Sequence, residues 1–143
     1  MPFVGCEACC IAKKVQPYLV KAGVSCPACN QLMPKISFDK ARIIWLAFLG
    51  FKSYREYLSS DLWGEIRRRV LARDDHTCRI CNDPATQVHH NSYSLDALSG
   101  NLIDQLFSLC RPCHHRLEFK ADGHKKHRVT VKYSLKNALR HAK

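Results

Sequence analysis

No stretch of this 143-residue chain is apolar for long enough to cross a bilayer. The longest run, Ile43–Phe51, has nine residues, against the roughly 20 that a spanning helix needs. Acids are scarce as well: 12 Asp+Glu stand against 23 Lys+Arg, a formal charge of +11. Residues 124–143 contain no acid at all. Such a balance disfavours cationic partners. It points to a polyanion, nucleic acid first and an anionic membrane second, with a merely soluble basic protein as the plain alternative. No secretory leader pattern is visible, because Met1-Pro2-Phe3-Val4-Gly5 runs at once into cysteines and lysines. There is no low-complexity tract and no long internal repeat.

Cysteine, by contrast, is abundant. Eight of the nine fall into four C-x-x-C pairs, Cys6/Cys9, Cys26/Cys29, Cys78/Cys81 and Cys110/Cys113. Regular pairing with an odd total fits zinc-bound thiolates in a reducing, cytoplasmic setting better than a secreted disulfide scaffold. Cys10 is left over, and a small hydrophobic side chain beside a knuckle suffices to explain it.

The first two pairs are separated by sixteen residues. Two short strands fit that interval, with Val15–Val20 favouring β structure. Residues 1–37 thus resemble a zinc ribbon, with Cys6, Cys9, Cys26 and Cys29 on one tetrahedral zinc ion. Such a module is either a structural tag or a DNA or protein contact. Ser37-Phe38-Asp39 caps a helix over about 40–49, which Gly50 stops. Its residues Ile43, Ile44, Trp45, Leu46, Phe48 and Leu49 leave little polar face, so burial or a homodimer or protein-partner seam is expected. Residues 38–60 form this apolar connector and a linker.

Ser59, Ser60 and Asp61 offer caps for the next helix. Leu62, Trp63, Ile66, Val70 and Leu71 form its apolar face. Arg67, Arg68, Arg69 and Arg73 lie opposite, each alone readable as a solvated residue and together as a phosphate contact. A strand is expected over Thr86–His89, Leu102–Leu109 carries the chain to Cys110, and a helix is expected over Cys113–Lys120. In the basic tail, 124–143, Val129–Tyr133 reads as a strand and Leu135–Ala142 as a short helix. The tail is either a solvated extension or a nucleic-acid-binding arm.

Cys78, Cys81, Cys110 and Cys113 complete a second tetrahedral zinc site, closed and therefore structural. His89, His90 and His114 are not needed to hold it. Neighbours on a regular strand face opposite ways, so His89 and His90 serve different tasks. Histidine near neutral pH acts as a base or binds a divalent ion.

The order Cys78-x-x-Cys81, Val88-His89-His90, Leu109-Cys110-x-x-Cys113-His114, preceded by the helix from Trp63 to Asp74, resembles the HNH endonuclease family. The likeness covers about residues 53–119. It implies a small, zinc-stabilised α+β protein. Helices and the zinc ribbon would precede a ββα-metal, treble-clef-like core at 61–123. It also implies metal-dependent hydrolysis of phosphodiester bonds in DNA, leaving a 5′-phosphate and a 3′-hydroxyl. By position, His90 would be the general base, and His89 and His114 would hold a catalytic Mg²⁺, Mn²⁺ or Ni²⁺. The family's base-orienting asparagine lies five residues before the third cysteine, where this chain has Gln105. Asn101 is assigned the role here, with Gln105 as its rival. A non-catalytic zinc-dependent nucleic-acid-binding protein remains the alternative, as does a subunit of a larger defence or mobile-element complex.

Overall fold

The computed structural model describes residues 1–141. Lys143, the last cation of the tail, lies outside them. The chain forms two compact units of mixed α and β structure: Met1–Trp63 with Tyr93–Asn101, and Gly64–Ser92 with residues from Leu102 onward. Each holds one four-cysteine cluster, as expected for domains too small to rely on an apolar core alone. Among the described residues no helix is long and apolar enough to cross a membrane.

The first unit opens with strands β1 (Phe3–Cys6) and β2 (Ile11–Lys14), helix α1 (Pro17–Ala22) and strand β3 (Lys35–Ile36). The strands pair antiparallel in the order β2-β1-β3, with Phe3 opposite both Lys14 and Ile36. Between the two knuckle pairs one strand forms, β2, and it lies ahead of the expected Val15–Val20 strand; toward Cys26 there is only an isolated bridge, Ser25 to Leu32. The stretch predicted as a strand at Val15–Val20 is mostly helix α1, because Pro17 sits in its first turn with φ already preset for a helix. On one sheet face Val4 packs with Val15, Cys26 and Met33.

The other face receives helix α2 (Phe38–Phe48). Ser37 caps it, accepting from the Lys40 N–H at 3.1 Å. Phe3 meets Phe38 and Trp45 edge to face, with ring centres 5.6 and 5.8 Å apart. The Trp45 Nε1–H donates to the Ala12 carbonyl at 2.9 Å, so the buried indole has its partner. Burial is one-sided rather than all-round: Ile44, Trp45 and Leu46 are buried, while Ile43 and Phe48 are 53% and 59% exposed. Helix α2 is thus part of the first unit's core and not a bare connector.

Gly5 is needed for space. A Cβ there would lie 2.5 Å from Ile36 Cδ1 and 2.9 Å from Ile44 Cδ1, pushing α2 off the sheet. Gly5→Val is expected to destabilise the first unit by about 1–3 kcal/mol, the usual cost of overpacking. Thermal denaturation with intact zinc reads this out, and an unchanged midpoint would show that α2 can shift freely.

Helices α3 (Tyr54–Leu58) and α5 (Leu95–Ser99) complete this unit. Tyr93 joins a ring cluster with Phe38 and Tyr54, and the Arg42 guanidinium lies 5.4 Å from the centres of both tyrosine rings. Helix α4 (Asp61–Arg73) begins under a cap from Ser60, whose Oγ accepts from the Trp63 N–H at 3.2 Å.

In the second unit α4 buries Ile66, Val70 and Leu71. Strands β4 (Gln87–His90) and β5 (Leu106–Leu109) pair antiparallel, with His89 opposite Phe107 and His90 opposite Leu106. Helix α6 (Arg111–Glu118) follows directly, and α7 (Arg128–His141) packs against it. From Arg128 to His141 the tail is therefore one continuous helix, not a strand and a short helix; Ala142, the end of the expected short helix, lies outside the described residues. Val131 and Leu135, four residues apart, bury one side of it, and that spacing overrides the β preference of Val129–Val131.

Most of the arginines on α4 are occupied internally. Arg67 donates to the Thr86 carbonyl at 2.5 Å, and Arg68 pairs with Glu65 at 2.7 Å. Arg73 donates to the carbonyls of Ile103 and Leu106 at 2.6 and 2.8 Å and pairs with Asp74 at 2.7 Å. Asp74 accepts from the Ser108 N–H at 3.2 Å and also meets Arg79 at 3.1 Å. Burial works against the Asp74 charge, but Arg73 and Ser108 outweigh it and hold the carboxyl below its ordinary pKa. This network ties the end of α4 to β5, which reduces the case for a phosphate-binding arginine cluster on that helix.

Candidate metal centre

Two sets of four thiols converge, Cys6/Cys9/Cys26/Cys29 and Cys78/Cys81/Cys110/Cys113, with the sulfurs of each set within 4.8 Å of one another. A Zn–S bond of about 2.3 Å puts tetrahedral sulfurs about 3.8 Å apart. The Cys6–Cys29 and Cys81–Cys110 separations are 3.8 and 3.6 Å, far beyond a disulfide bond. Both sets fit one structural zinc ion each.

Local backbone explains the convergence. Three of the four knuckles are followed by a residue with left-handed φ: Cys10 at 52°, Asn30 at 62° and Asn82 at 65°. Each closes the turn, with the Cys10 N–H donating to Glu7, Asn30 to Cys26 and Asn82 to Cys78. The ninth cysteine thus sits at a turn-closing position and lies outside the ligand set. The fourth knuckle continues as α6 instead, and the Cys110 Sγ accepts from the Cys113 N–H at 3.5 Å as the helix cap. Burial opposes the Cys78 charge, yet backbone N–H groups of Cys110, Cys81 and Ile80 bring its pKa down to about 7. Those of Ala28 and Cys29 do the same for Cys26, against its burial, also to about 7. One cysteine in each set is thus shifted toward the thiolate that binds metal. The thiol neighbours Cys29 and Cys6 push Cys9 up to about 12, and for Cys81 the Asp83 backbone N–H is outweighed by burial and the Cys113 thiol, which raise the pKa.

A third cluster stands beside the second cysteine set. The His89 Nδ1 lies 3.5 Å and the His114 Nε2 3.3 Å from the same carboxylate oxygen, Oε1 of Glu118. The two imidazoles meet edge to face with ring centres 5.3 Å apart. The three ligand atoms lie within 4.8 Å of one another. Sequence order explains this geometry. Cys113 fixes the first turn of α6, which places His114. Glu118 follows four residues later, on the same face one turn on. Residues 87 and 89 share one face of β4, and His90 takes the other. On that shared face, the His114 Nδ1–H donates to the Gln87 Oε1 at 2.6 Å, which turns Nε2 toward Glu118. Hydrogen bonds from His114 first, then His89, hold Glu118 well below the ordinary carboxylate pKa, so it is ionised.

His90 is 5% exposed. Burial first, then the charges of His89 and His114, push its pKa down to about 3, and the ring is neutral at physiological pH. Gln105 and Asn91 pair next to it: the Asn91 N–H donates to the Gln105 carbonyl at 2.9 Å, and the Asn91 Nδ2 to Gln105 Oε1 at 3.2 Å. Asn101 is exposed and belongs to the first unit, where its N–H donates to Ser99 Oγ at 3.4 Å. Within the second unit, then, the amide beside His90's neighbour is Gln105. His115 lies outside the cluster, stacked on Phe119 with ring centres 4.8 Å apart.

Glu118 and Gln87 were not singled out from the sequence. The available signal was their spacing, four residues from His114 on an expected helix and two from His89 on an expected strand. Comparison with protein-family models, curated proteins and solved structures finds no match to this chain.

A second-sphere partner that fixes an imidazole's tautomer commonly raises metal affinity 10–100-fold. Gln87→Ala is accordingly expected to weaken Mn²⁺ binding at this cluster by about that factor while leaving zinc content unchanged. Calorimetric titration measures it, and equal affinities would show that Gln87 does not orient His114.

Proposed function

We propose that this protein is a metal-dependent DNA endonuclease of the HNH type, its catalytic ion held by His89, His114 and Glu118. The observation that carries this reading is the convergence of two imidazoles and an ionised carboxylate beside a zinc-framed β4–β5–α6 unit, with a third histidine, His90, next to His89 on β4. Two nitrogens and one oxygen suit Mn²⁺, Ni²⁺ or Zn²⁺ better than Mg²⁺, which prefers oxygen ligands throughout. When bound, such an ion stabilises the negative charge that grows on a phosphodiester's oxygens during cleavage.

The chain's own residues do the rest. His114 and His89 present lone pairs from two different elements, so the site is fixed by the packing of α6 on β4. Gln87 holds the His114 tautomer. His90, neutral at working pH, has a ring nitrogen able to take a proton from an attacking water. An anionic phosphate brought beside it favours its protonated form and raises its basicity. Gln105 stands where the family has its asparagine, and its pairing with Asn91 steadies the backbone just past the base.

The test is nicking of supercoiled plasmid after mild chelation, with Mn²⁺, Ni²⁺ or Mg²⁺ added back. Wild type is expected to nick, faster with Mn²⁺ or Ni²⁺ than with Mg²⁺. His90→Ala is expected to lose about 10²–10⁴ in rate, with unchanged zinc content and circular dichroism. The second reading, a non-catalytic zinc-dependent nucleic-acid-binding protein, draws on the depth of His90, since a base that meets water needs a route to it. Plasmid left intact by wild type with every ion, while DNA is still bound, would decide for that reading.

A further inference from the structure

Helix α7 is amphipathic in an unusual way: its apolar side is used up within the protein, and its outer side is cationic. Val131 and Leu135 are buried and α7 packs on α6. At about 100° per residue, Val129, Tyr133, Lys136 and Arg140 lie on the side away from them, and Lys132 lies on the flank, so that Lys132, Lys136 and Arg140 form one stripe running from the flank to the outer side. Lys132, Lys136 and Arg140 are exposed, and Val129 and Tyr133 are 69% and 68% exposed. No ion pair forms at any of these three cations among the described residues. The helix itself carries no acid to neutralise them.

We infer that this face of α7 is a docking surface for the phosphate backbone of duplex DNA. Charge complementarity is the argument. Three cations stepped four residues apart cover about 12 Å of helix, the axial length of three to four nucleotides of one strand. Tyr133 stands among them with its ring and hydroxyl in solvent, able to donate a hydrogen bond to a phosphate oxygen. An anionic membrane would satisfy the charge but not the shape. A helix lying on a bilayer inserts a broad apolar face, and here that face is already buried against α6. The inference rests on the nuclease reading only for its partner. Because α7 packs on the helix that carries His114 and Glu118, DNA held here would be held by the same unit as the metal centre.

The experiment is fluorescence anisotropy with a labelled 20-base-pair duplex and the full chain, zinc-loaded and without added divalent ion, over a range of NaCl. The variant is Lys132→Gln/Lys136→Gln/Arg140→Gln, with Lys132→Arg/Lys136→Arg as the charge-preserving control. Each neutralised phosphate contact contributes about 0.9 to the slope of log K against log[salt]. The triple variant is therefore expected to bind more weakly, with a slope shallower by about 2 to 3, and the control to match wild type. Equal slopes for triple variant and wild type overturn the inference. So does a triple variant that binds the duplex normally but has lost binding to phosphatidylserine vesicles. Duplex binding that depends on α7, combined with failure to nick plasmid under any metal, sinks the nuclease reading and leaves this surface standing.

Discussion

Cys110→Ser is expected to abolish folding of the second unit. The substitution separates two jobs that one residue performs. Cys110 caps α6 through its Sγ, and serine is an excellent cap, so helix initiation survives. What is lost is a soft thiolate in a four-sulfur site. Structural zinc contributes about 10–16 kcal/mol to the folding of small zinc domains, whereas a core of this size supplies only about 3–5 kcal/mol on its own. The deficit exceeds anything the Arg73–Asp74–Ser108 network can offset. Elemental analysis should fall from two zinc ions per chain to one, and the second unit's thermal transition should disappear. The same change at Cys6 should remove the other zinc ion and leave the second unit's transition in place. A Cys110→Ser chain that keeps two zinc ions and melts cooperatively would contradict the structural role assigned to the site.

Glu118→Ala should do the opposite, sparing the fold and removing the chemistry. Glu118 is only partly buried and makes no contact with the zinc thiolates, so its loss leaves that frame intact. It does remove the one charged ligand around which His89 and His114 converge. Loss of an outer partner already costs 10–100-fold in metal affinity or activity, and loss of a ligand should cost at least the upper end, about a hundredfold. Nicking with Mn²⁺ should fall by that factor or more, while the melting curve and zinc content stay as in wild type. Full activity in Glu118→Ala would remove the carboxylate from the site.

Much of this arrangement was legible beforehand because it follows from short-range rules. C-x-x-C spacing announces the knuckles, and Ser37 announces the start of α2. The two-residue period of a strand already separates His89 from His90, and β4 keeps them on opposite faces. What escaped depends on packing between elements. Val129-Thr130-Val131 favours a strand locally, but α6 offers Val131 and Leu135 a surface to bury against, and a helix results. The run from Ile43 to Phe51 looked apolar all round, yet the three-stranded sheet covers only one side of α2. Glu118 read as an ordinary charged residue near a helix end, since nothing in its neighbourhood marks it as a ligand until β4 brings His89 across. The α4 arginines looked available to phosphate, but Thr86, Ile103 and Leu106 take up two of them through backbone carbonyls that no sequence pattern displays.

The central claim is that one zinc frame positions a second, exchangeable metal site. Electron paramagnetic resonance of Mn²⁺ titrated into zinc-loaded protein tests it most directly. One Mn²⁺ bound per chain is predicted for wild type and for His90→Ala, none for Glu118→Ala, with two zinc ions retained in all three. Mn²⁺ binding that is absent from wild type, or unchanged by Glu118→Ala, would contradict the account.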